Sequence, residues 1–404
     1  MAPYESDDAV GAAHEDAARD GAPRSGRRKA ARYGVPVAVV GVAAATIGLV
    51  PALADSGDPD LPKITAQQLI EKMARSDVQQ LSGTVKITTD LGLPDLGGLE
   101  DGLLSGADHG GSGDGSSADP RSRLTELASG MHTLRVAADG PDRQKMSLLE
   151  RGAEYSLIHD GKDVWGYDSK SNEVYHSTAA GSGKERRAEP PATPKDFADE
   201  ALKAVDDTTS VTVDGTAQVA GRDAYKLLIR PRQSGTTVGA ISIAVDAKTW
   251  MPLKFTLTPR SGGAAVVDAG FTQVSFGRPA ASTFDFTPPK GARVTEEKDA
   301  AARTPGPEHD EDFTEGLGGL DVLGEGWTSV ATVDTGAKGG LPTGSQGGDA
   351  GGFLGSLGDP VSGKFGKGTV FSTRLVNALI TDDGKVYAGL VTKETLVKAA
   401  DAGK

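Results

Sequence analysis

The chain has 404 residues, a formal net charge of −13 at pH 7 and no cysteine. The lack of cysteine excludes disulfides, thiolate metal sites and lipid attachment to a cysteine, and the acidic balance argues against a nucleic-acid partner. The chain is long enough for two domains of ordinary size plus tails. With 55 glycines and 22 prolines, several of its segments are expected to be linkers.

The N-terminal region has the composition of a leader. Residues 1–32 contain few apolar side chains and are predicted to be disordered, as a cytoplasmic or leader segment. Basic residues then precede an uncharged run over 33–54, which reaches the ~20 residues needed to cross a bilayer. This run is either a retained transmembrane helix or a signal peptide that is cleaved after Ala54. In both cases we expect the rest of the chain outside the cytoplasm, attached to the cytoplasmic membrane or secreted.

Two short amphipathic helices are predicted. Thr65 and Gln68 have the spacing of a capping box, and an apolar stripe formed by Leu69, Ile70 and Met73 follows. The second helix begins at Thr193-Pro194, an N-cap followed by proline at the first helical position. Its apolar stripe consists of Phe197, Ala198, Ala201, Leu202 and Val205.

Short runs of alternating apolar and polar residues, between the two helices and after the second one, predict strands joined by tight turns. Such turns are too short for a crossover connection, so the strands are expected to be antiparallel. The runs lie at 81–88, 131–138, 143–149, 154–159, 163–167, 173–177, 210–219, 223–230 and 264–276.

The clearest hairpin covers Val238 to Pro259. Its first half places Ile241, Ile243 and Val245 on one face, and its second half does the same with Leu253, Phe255 and Leu257. Between the halves, Asp246-Ala247-Lys248-Thr249 has turn chemistry, because an aspartate can accept a hydrogen bond from the backbone two residues on.

The segment Val245 to Lys254, with its aspartate, threonine and proline-leucine, resembles a turn of the LolA-like family, which includes the LolA and LolB lipoprotein carriers and RseB-type envelope sensors. The order of elements over residues 63–294 is similar to that family as well. The resemblance implies a mainly β fold with α: a half-open antiparallel β-barrel of about eleven strands with a two-helix lid. The alanine- and glycine-rich composition suggests a member from a high-GC Gram-positive bacterium.

In that family the sheet and its lid enclose an apolar cavity that holds an acyl chain. The residues expected to line such a cavity here are Leu69, Met73, Trp165, Phe197, Leu202, Ile243, Phe255 and Leu257. The family's lid-latching arginine cannot be assigned from the sequence, because Arg222, Arg230 and Arg232 are all candidates. If Phe255 lines an empty cavity, its truncation to alanine is expected to cost less than about 1.5 kcal/mol.

The C-terminal region is predicted to form a second lobe. Residues 295–325 are acidic and rich in glycine and proline, as linkers are. Residues 326–404 are expected to fold as a small α+β lobe with strands at 327–333, 369–379 and 385–391 and a terminal helix capped by Thr392. A lobe of this size should be marginal alone and is expected to dock on the first domain.

The sequence favours binding over catalysis. It contains no phosphate-binding loop, nucleophile elbow or zinc-protease motif, so neither an enzyme activity nor a cofactor is expected. Three histidines in predicted strands, His132, His159 and His176, could meet as metal ligands, but strand histidines more often bond to backbone, and no metal site is assigned.

The expected function is that of an extracytoplasmic carrier for a lipid or a lipoprotein acyl chain. The alternative is an envelope-stress sensor that binds a membrane signalling protein through its C-terminal lobe, as the resemblance to RseB-type proteins implies. The two functions predict different observations, because a carrier retains extractable lipid whereas a sensor captures one membrane protein.

Overall fold

The computed structural model describes residues 59–92, 117–120, 123, 126–178, 193–203, 205–296, 321–334 and 358–403. The predicted leader and the apolar run over 33–54 lie outside these residues. Every helix within them is too short or too polar to span a bilayer. All described residues belong to one unit, Ala54–Lys404.

A twelve-stranded sheet dominates the first domain, in the order β12-β6-β5-β4-β3-β2-β1-β11-β10-β9-β8-β7. Neighbouring strands are antiparallel, except that β12 pairs in parallel with β6. The mainly β fold is confirmed. The sheet has one strand more than the expected number of about eleven, because β12 was not predicted. The strands are β1 Gln80–Thr89, β2 Gly130–Asp139, β3 Arg143–Glu150, β4 Ala153–Asp160, β5 Asp163–Asp168, β6 Glu173–Thr178, β7 Thr209–Val219, β8 Arg222–Pro231, β9 Val238–Asp246, β10 Pro252–Pro259, β11 Val267–Ser275 and β12 Arg293–Glu296.

Three α-helices accompany the strands in the described part of the chain: α1 Ala66–Ala74, α2 Pro194–Lys203 and α3 Lys393–Ala402. Both predicted caps in the first domain are present, since Thr65 caps α1 in a full capping box and Pro194 is the first residue of α2. Helix α1 ends at Ala74.

Two groups of buried side chains form the core of the first domain. One lies along the strands around β1, and the other lies between β8, β9 and β10 and the helices α1 and α2. The ring of Phe197 on α2 packs against both groups. The first group consists of Val85, Ile87, Leu127, Leu134, Leu148, Tyr155, Met251, Leu253, Ala269 and Phe271.

Strand β12 is held on the sheet by two ion pairs. Arg293 Nη2 lies 2.9 Å from Glu173 Oε1, and Glu296 Oε2 lies 2.6 Å from His176 Nδ1. Burial by itself lowers the pKa of His176, but hydrogen bonds to Asp163 and Glu296 outweigh it and raise that pKa above its usual value. The protonated imidazole therefore stabilises the end of the domain, and this contribution is lost as pH rises through the raised pKa.

The C-terminal lobe is a six-stranded sheet in the order β13-β14-β18-β17-β16-β15, with α3 packed on it. Its strands are β13 Asp321–Leu323, β14 Val330–Asp334, β15 Asp359–Gly363, β16 Gly366–Ser372, β17 Asn377–Thr381 and β18 Lys385–Gly389. Strands β12 and β13 thus extend into both ends of the expected linker.

The prediction of a single strand over 369–379 is wrong, because a turn divides this segment between β16 and β17. The Thr373 hydroxyl accepts hydrogen bonds from the backbone N–H groups of Leu375 at 3.2 Å and Val376 at 2.7 Å. A threonine that bonds to its own backbone in this way competes with the strand ladder.

The C-terminal lobe contacts the first domain at several points. Val391 forms an isolated β-bridge with Thr236, in the connection between β8 and β9. Trp327 Nε1 donates to Thr209 Oγ1 at 2.8 Å, and Arg374 Nη1 lies 2.6 Å from Asp90 Oδ2. Leu375 is also buried against apolar side chains of the first domain, so the contact combines apolar packing with backbone pairing.

We expect residues 59–296 to fold without the C-terminal lobe, because both buried groups of the first domain draw their buried members from that range. The fragment should melt in one cooperative transition, with circular dichroism and tryptophan fluorescence giving the same midpoint. Broad melting, or midpoints that differ between the two probes, would show that the lobe completes the core.

Candidate functional site

Helix α1 is fixed at its N-terminus and buries one face. Thr65 Oγ1 accepts from the backbone N–H of Gln68 at 3.2 Å, and Gln68 Oε1 accepts from the N–H of Thr65 at 3.1 Å. Leu69 and Met73, one turn apart, are buried on the sheet side. The capping box therefore sets which face of this short helix meets the sheet.

Helix α2 covers the adjoining part of the same strands. Its N-terminus is closed by Thr193 and Asp196, with the Thr193 N–H donating to Asp196 Oδ2 at 2.9 Å. Ala198 is fully buried, and the ring of Phe197 stacks on that of Phe255 with the centroids 5.2 Å apart. A small residue beside a large ring lets α2 approach β10 closely.

The apolar face of β8, β9 and β10 meets these two helices. In the hairpin Phe255 pairs with Ile243 and Leu257 with Ile241, and a register shift lies between Pro252 and Lys254. Together the strands and helices form what we term the apolar cluster. Its buried members are Leu69, Met73, Ala198, Tyr225, Leu227, Ile229, Ile241, Ile243, Val245 and Phe255.

Seven of the eight residues expected to line a cavity meet in the apolar cluster or pack against it. Phe197, Leu202 and Leu257 are its partly buried neighbours. Trp165 lies elsewhere, stacked on His176 with the ring centroids 3.7 Å apart. The seven side chains lie in one packed region, so a ligand that entered this region would have to separate some of them.

A cleft of about 530 Å³ opens beside α1, at the end of the apolar cluster. Tyr225 belongs both to the cluster and to the wall of the cleft. The apolar part of the cleft is lined by Leu61, Pro62, Ile64, Tyr225, Ala247 and Trp250, and the polar part by Lys63, Gln68, Glu71, Lys72 and Arg75.

The cleft is positively charged. Lys63, Lys72 and Arg75 are exposed side chains on its wall, and Glu71 is the acidic residue there. Lys72 Nζ lies 4.1 Å from the centre of the Trp250 ring, which is cation–π geometry. The cleft can therefore offer both positive charge and aromatic surface to a ligand.

Trp250 is placed by the turn between β9 and β10. Asp246, which is 1% exposed, accepts hydrogen bonds from the backbone N–H groups of Lys248 at 3.0 Å and Thr249 at 2.6 Å. Arg222 Nη2 donates to the same carboxylate at 3.1 Å. The turn puts Trp250 at a φ of +62°, a backbone conformation that costs a non-glycine residue about 1 kcal/mol or more.

The environment of Asp246 keeps it ionised. Burial alone would raise its pKa, but the hydrogen bonds from Arg222 and from Thr249 and Lys248 outweigh burial and lower that pKa below its usual value. Of the three arginines considered from the sequence, Arg222 is the one that holds this turn, whereas Arg232 Nε donates to the backbone oxygen of Thr209.

Sequence reasoning missed the cleft, although part of its signal is visible in the sequence. Gln68, Lys72 and Arg75 are spaced four and three residues apart, which gives α1 a polar stripe beside its apolar one. Trp250 follows a recognised turn, but its left-handed conformation and its contact with Tyr225 come from strands that meet only in the folded chain.

No known family profile matches the sequence, and no curated protein matches it. Among solved structures, the MucA/MucB complex of Pseudomonas aeruginosa is similar at 15% identity and a TM-score of 0.39, over 83% of this chain and 96% of that one. An uncharacterized conserved protein from Thermus thermophilus is similar at 14% identity and a TM-score of 0.31, over 57% of this chain and 99% of that one.

A LolA superfamily protein from Nitrosomonas europaea is similar at 11% identity and a TM-score of 0.22, over 55% of this chain and 99% of that one. At such low identities no residue role is transferred from those proteins to this chain. The Gram-positive source stays a prediction.

Asp246→Asn should lower the free energy of unfolding by about 2 kcal/mol at pH 7, because it removes a charge-assisted bond to a largely buried arginine. The pKa of Asp246 is lowered in the folded chain, so its contribution is present above the unfolded pKa and is lost as pH falls through the folded pKa. Urea unfolding from pH 7 to pH 3 should therefore show the variant and the wild type converging in acid. Asp214→Asn, at an exposed position of β7, is the matched control and should change little.

Phe255→Ala should cost about 3 to 5 kcal/mol, since the ring is 4% exposed and stacks on Phe197. This value replaces the small loss expected for an empty cavity. Urea unfolding measures it, with Phe286→Ala, at a partly buried ring outside the apolar cluster, as a control of smaller effect. A loss below about 1.5 kcal/mol would show instead that the space around Phe255 is empty.

Proposed function

We propose that this protein is a non-catalytic extracytoplasmic carrier that binds a lipid or a lipoprotein acyl chain between α1, α2 and the sheet. The observation that carries the proposal is the continuity of the apolar cluster with an open cleft, through the shared side chain of Tyr225. A buried apolar region with an exit to solvent is the form that small-molecule sites commonly take.

The two helices act as the lid of this carrier and the sheet acts as its wall, in the form of a half-open barrel whose edge strands are β12 and β7. Helices of nine and ten residues are not stable alone in water, so packing on the apolar cluster holds them in place. An acyl chain that offers the same kind of contact can take the place of part of that packing.

The energetics allow such an exchange. A chain of ~14 methylene groups contributes up to about 11 kcal/mol when it leaves water, at about 0.8 kcal/mol per group. Separating the stacked rings of Phe197 and Phe255 costs on the order of 3 to 5 kcal/mol by comparison with the truncation of a buried phenylalanine. Separating these two rings therefore requires less free energy than full burial of the chain supplies.

The proposed location is outside the cytoplasm, with the apolar run over 33–54 as a membrane anchor or a cleaved signal. The partners of a carrier in this place are the cytoplasmic membrane, as a source of lipid, and the lipoprotein or lipid that it shelters. No nucleic-acid partner is proposed for a chain with a net charge of −13.

A sensor that binds a membrane signalling protein through its C-terminal lobe is the second candidate. One observation favours it: β13 ends the six-stranded sheet, and its Val322 is 64% exposed. An edge strand with an exposed apolar side chain can accept a strand from a partner.

Leu202→Gln tests the carrier. It places an amide on the face of α2 that packs against the apolar cluster, so it should weaken binding of a fluorescent long-chain fatty acid about tenfold or more. Lys203→Gln, on the exposed side of the same helix, is the matched control and should stay within twofold of the wild type. Fluorescence titration measures both variants, and urea unfolding confirms that each is folded.

The titration also separates the two candidates. A wild-type chain that binds no fatty acid, and carries no lipid in an organic extract analysed by mass spectrometry, would contradict the carrier. Capture of one membrane protein by the wild-type chain, with the capture lost when residues after 320 are removed, would then favour the sensor.

A further inference from the structure

The cleft beside α1 has a charge opposite to that of the chain. Lys63, Lys72 and Arg75 face it together with one carboxylate, Glu71, although the whole chain has a net charge of −13. In the described part of the chain none of the three cations forms a salt bridge. The Glu71 carboxylate accepts a hydrogen bond from Gln67 Nε2 at 3.2 Å. The cleft therefore has positive charge available for a ligand.

Arg75 occupies the C-cap of α1, and Lys72 lies in the last turn. Cations at this end of a helix interact favourably with the helix dipole, so the helix stabilises these two residues. Within the described residues, their terminal nitrogens have no acidic partner. A guanidinium next to an ammonium group suits the oxygens of a phosphate, because the guanidinium donates two parallel hydrogen bonds and the ammonium adds a point charge.

Part of the cleft wall is aromatic. Trp250 is held at a φ of +62° and lies parallel to Tyr225, with the ring centroids 6.0 Å apart and an interplanar angle of 13°. Trp250 remains partly exposed, whereas Tyr225 is buried in the apolar cluster. Trp250 thus has a backbone conformation that is unfavourable for a large side chain, and its indole ring lines the cleft.

The wall of the cleft combines charged, aromatic and aliphatic side chains. Leu61, Ile64, Ala247 and Trp250 all line the cleft and all pack against the apolar cluster. A ligand that suits this combination has an anionic head and an apolar tail.

We propose that the cleft is the head-group site for a phosphate-bearing lipid, with the phosphate on Lys63, Lys72 and Arg75 and the start of its acyl chain on Trp250 and Tyr225. The inference rests on the proposed carrier function for the tail and adds the chemical class of the head. The lipid is thereby oriented, with its charged end at α1 and its chain directed under the helix.

Isothermal titration of the full chain with monodecyl phosphate and with decanol tests this, because the two ligands share a tail and differ in the head. The wild type should bind monodecyl phosphate at least tenfold more tightly than decanol. Higher salt should weaken binding of the phosphate alone.

The double variant Lys72→Gln with Arg75→Gln should lose at least tenfold in affinity for monodecyl phosphate and less than twofold for decanol. The matched control, Lys86→Gln with Arg135→Gln, makes the same charge change on strands away from the cleft and should leave both affinities unchanged. Trp250→Asn is a further variant, since asparagine tolerates the left-handed backbone, and it should weaken both ligands while the chain stays folded.

The outcomes separate this inference from the carrier proposal. Equal affinity for the two ligands, or an equal loss in the control variant, overturns the head-group site and leaves the carrier intact. Binding of neither ligand overturns both. Inorganic phosphate that binds as tightly as monodecyl phosphate would show a site for the free anion. If the double variant loses binding to anionic vesicles but keeps its affinity for monodecyl phosphate, the cations form a membrane contact. Either result overturns the inference.

Discussion

The buried contact between Asp246 and Arg222 is the interaction on which the geometry of the first domain most depends. It joins the start of β8 to the end of β9, and the same carboxylate accepts the N–H groups of the following turn. Burying a carboxylate that is 1% exposed costs free energy unless both of its oxygens accept hydrogen bonds. Few other conformations of the turn would supply those bonds. The register of β9 and β10 follows, and with it the choice of face for every apolar residue of that hairpin.

The same turn connects the apolar cluster to the cleft. It ends in Trp250, which stands over Tyr225 and beneath Lys72, whereas the strands that it joins contribute Ile243 and Phe255 to the cluster. Helix α1 repeats this arrangement, with one face buried against the strands and a neighbouring face lining the cleft. Movement of α1 would therefore change both regions at once, as the proposed lid requires.

The C-terminal lobe contacts the opposite end of the β8–β9 hairpin. Its bridge to Thr236 lies in the connection between the two strands, and the turn at Asp246 closes their other end, about 30 Å away for strands of this length. Trp327 of the lobe also packs against the apolar cluster. The lobe therefore contacts the apolar cluster through this one side chain.

Local chemistry determined much of the fold from the sequence. Capping residues placed the starts of α1 and α2, alternation placed the strands from β1 to β11, and the hairpin register followed from its apolar face. Contacts within a few residues govern these features, so a local pattern is sufficient. The division of residues 369–379 into two strands was missed because a threonine bonding to its own backbone leaves the apolar pattern unchanged.

The sequence alone determined which residues are apolar, where the two helices begin and which strands form hairpins. Only the tertiary structure decided that seven of the expected cavity residues pack together, that Trp165 lies apart on His176, and that β12 joins β6 in parallel. It also brought Lys72 of α1 over Trp250 and Arg222 of β8 onto Asp246. The physical reason is that these contacts join segments far apart along the chain, and their geometry exists only once the whole sheet has set the distance between them.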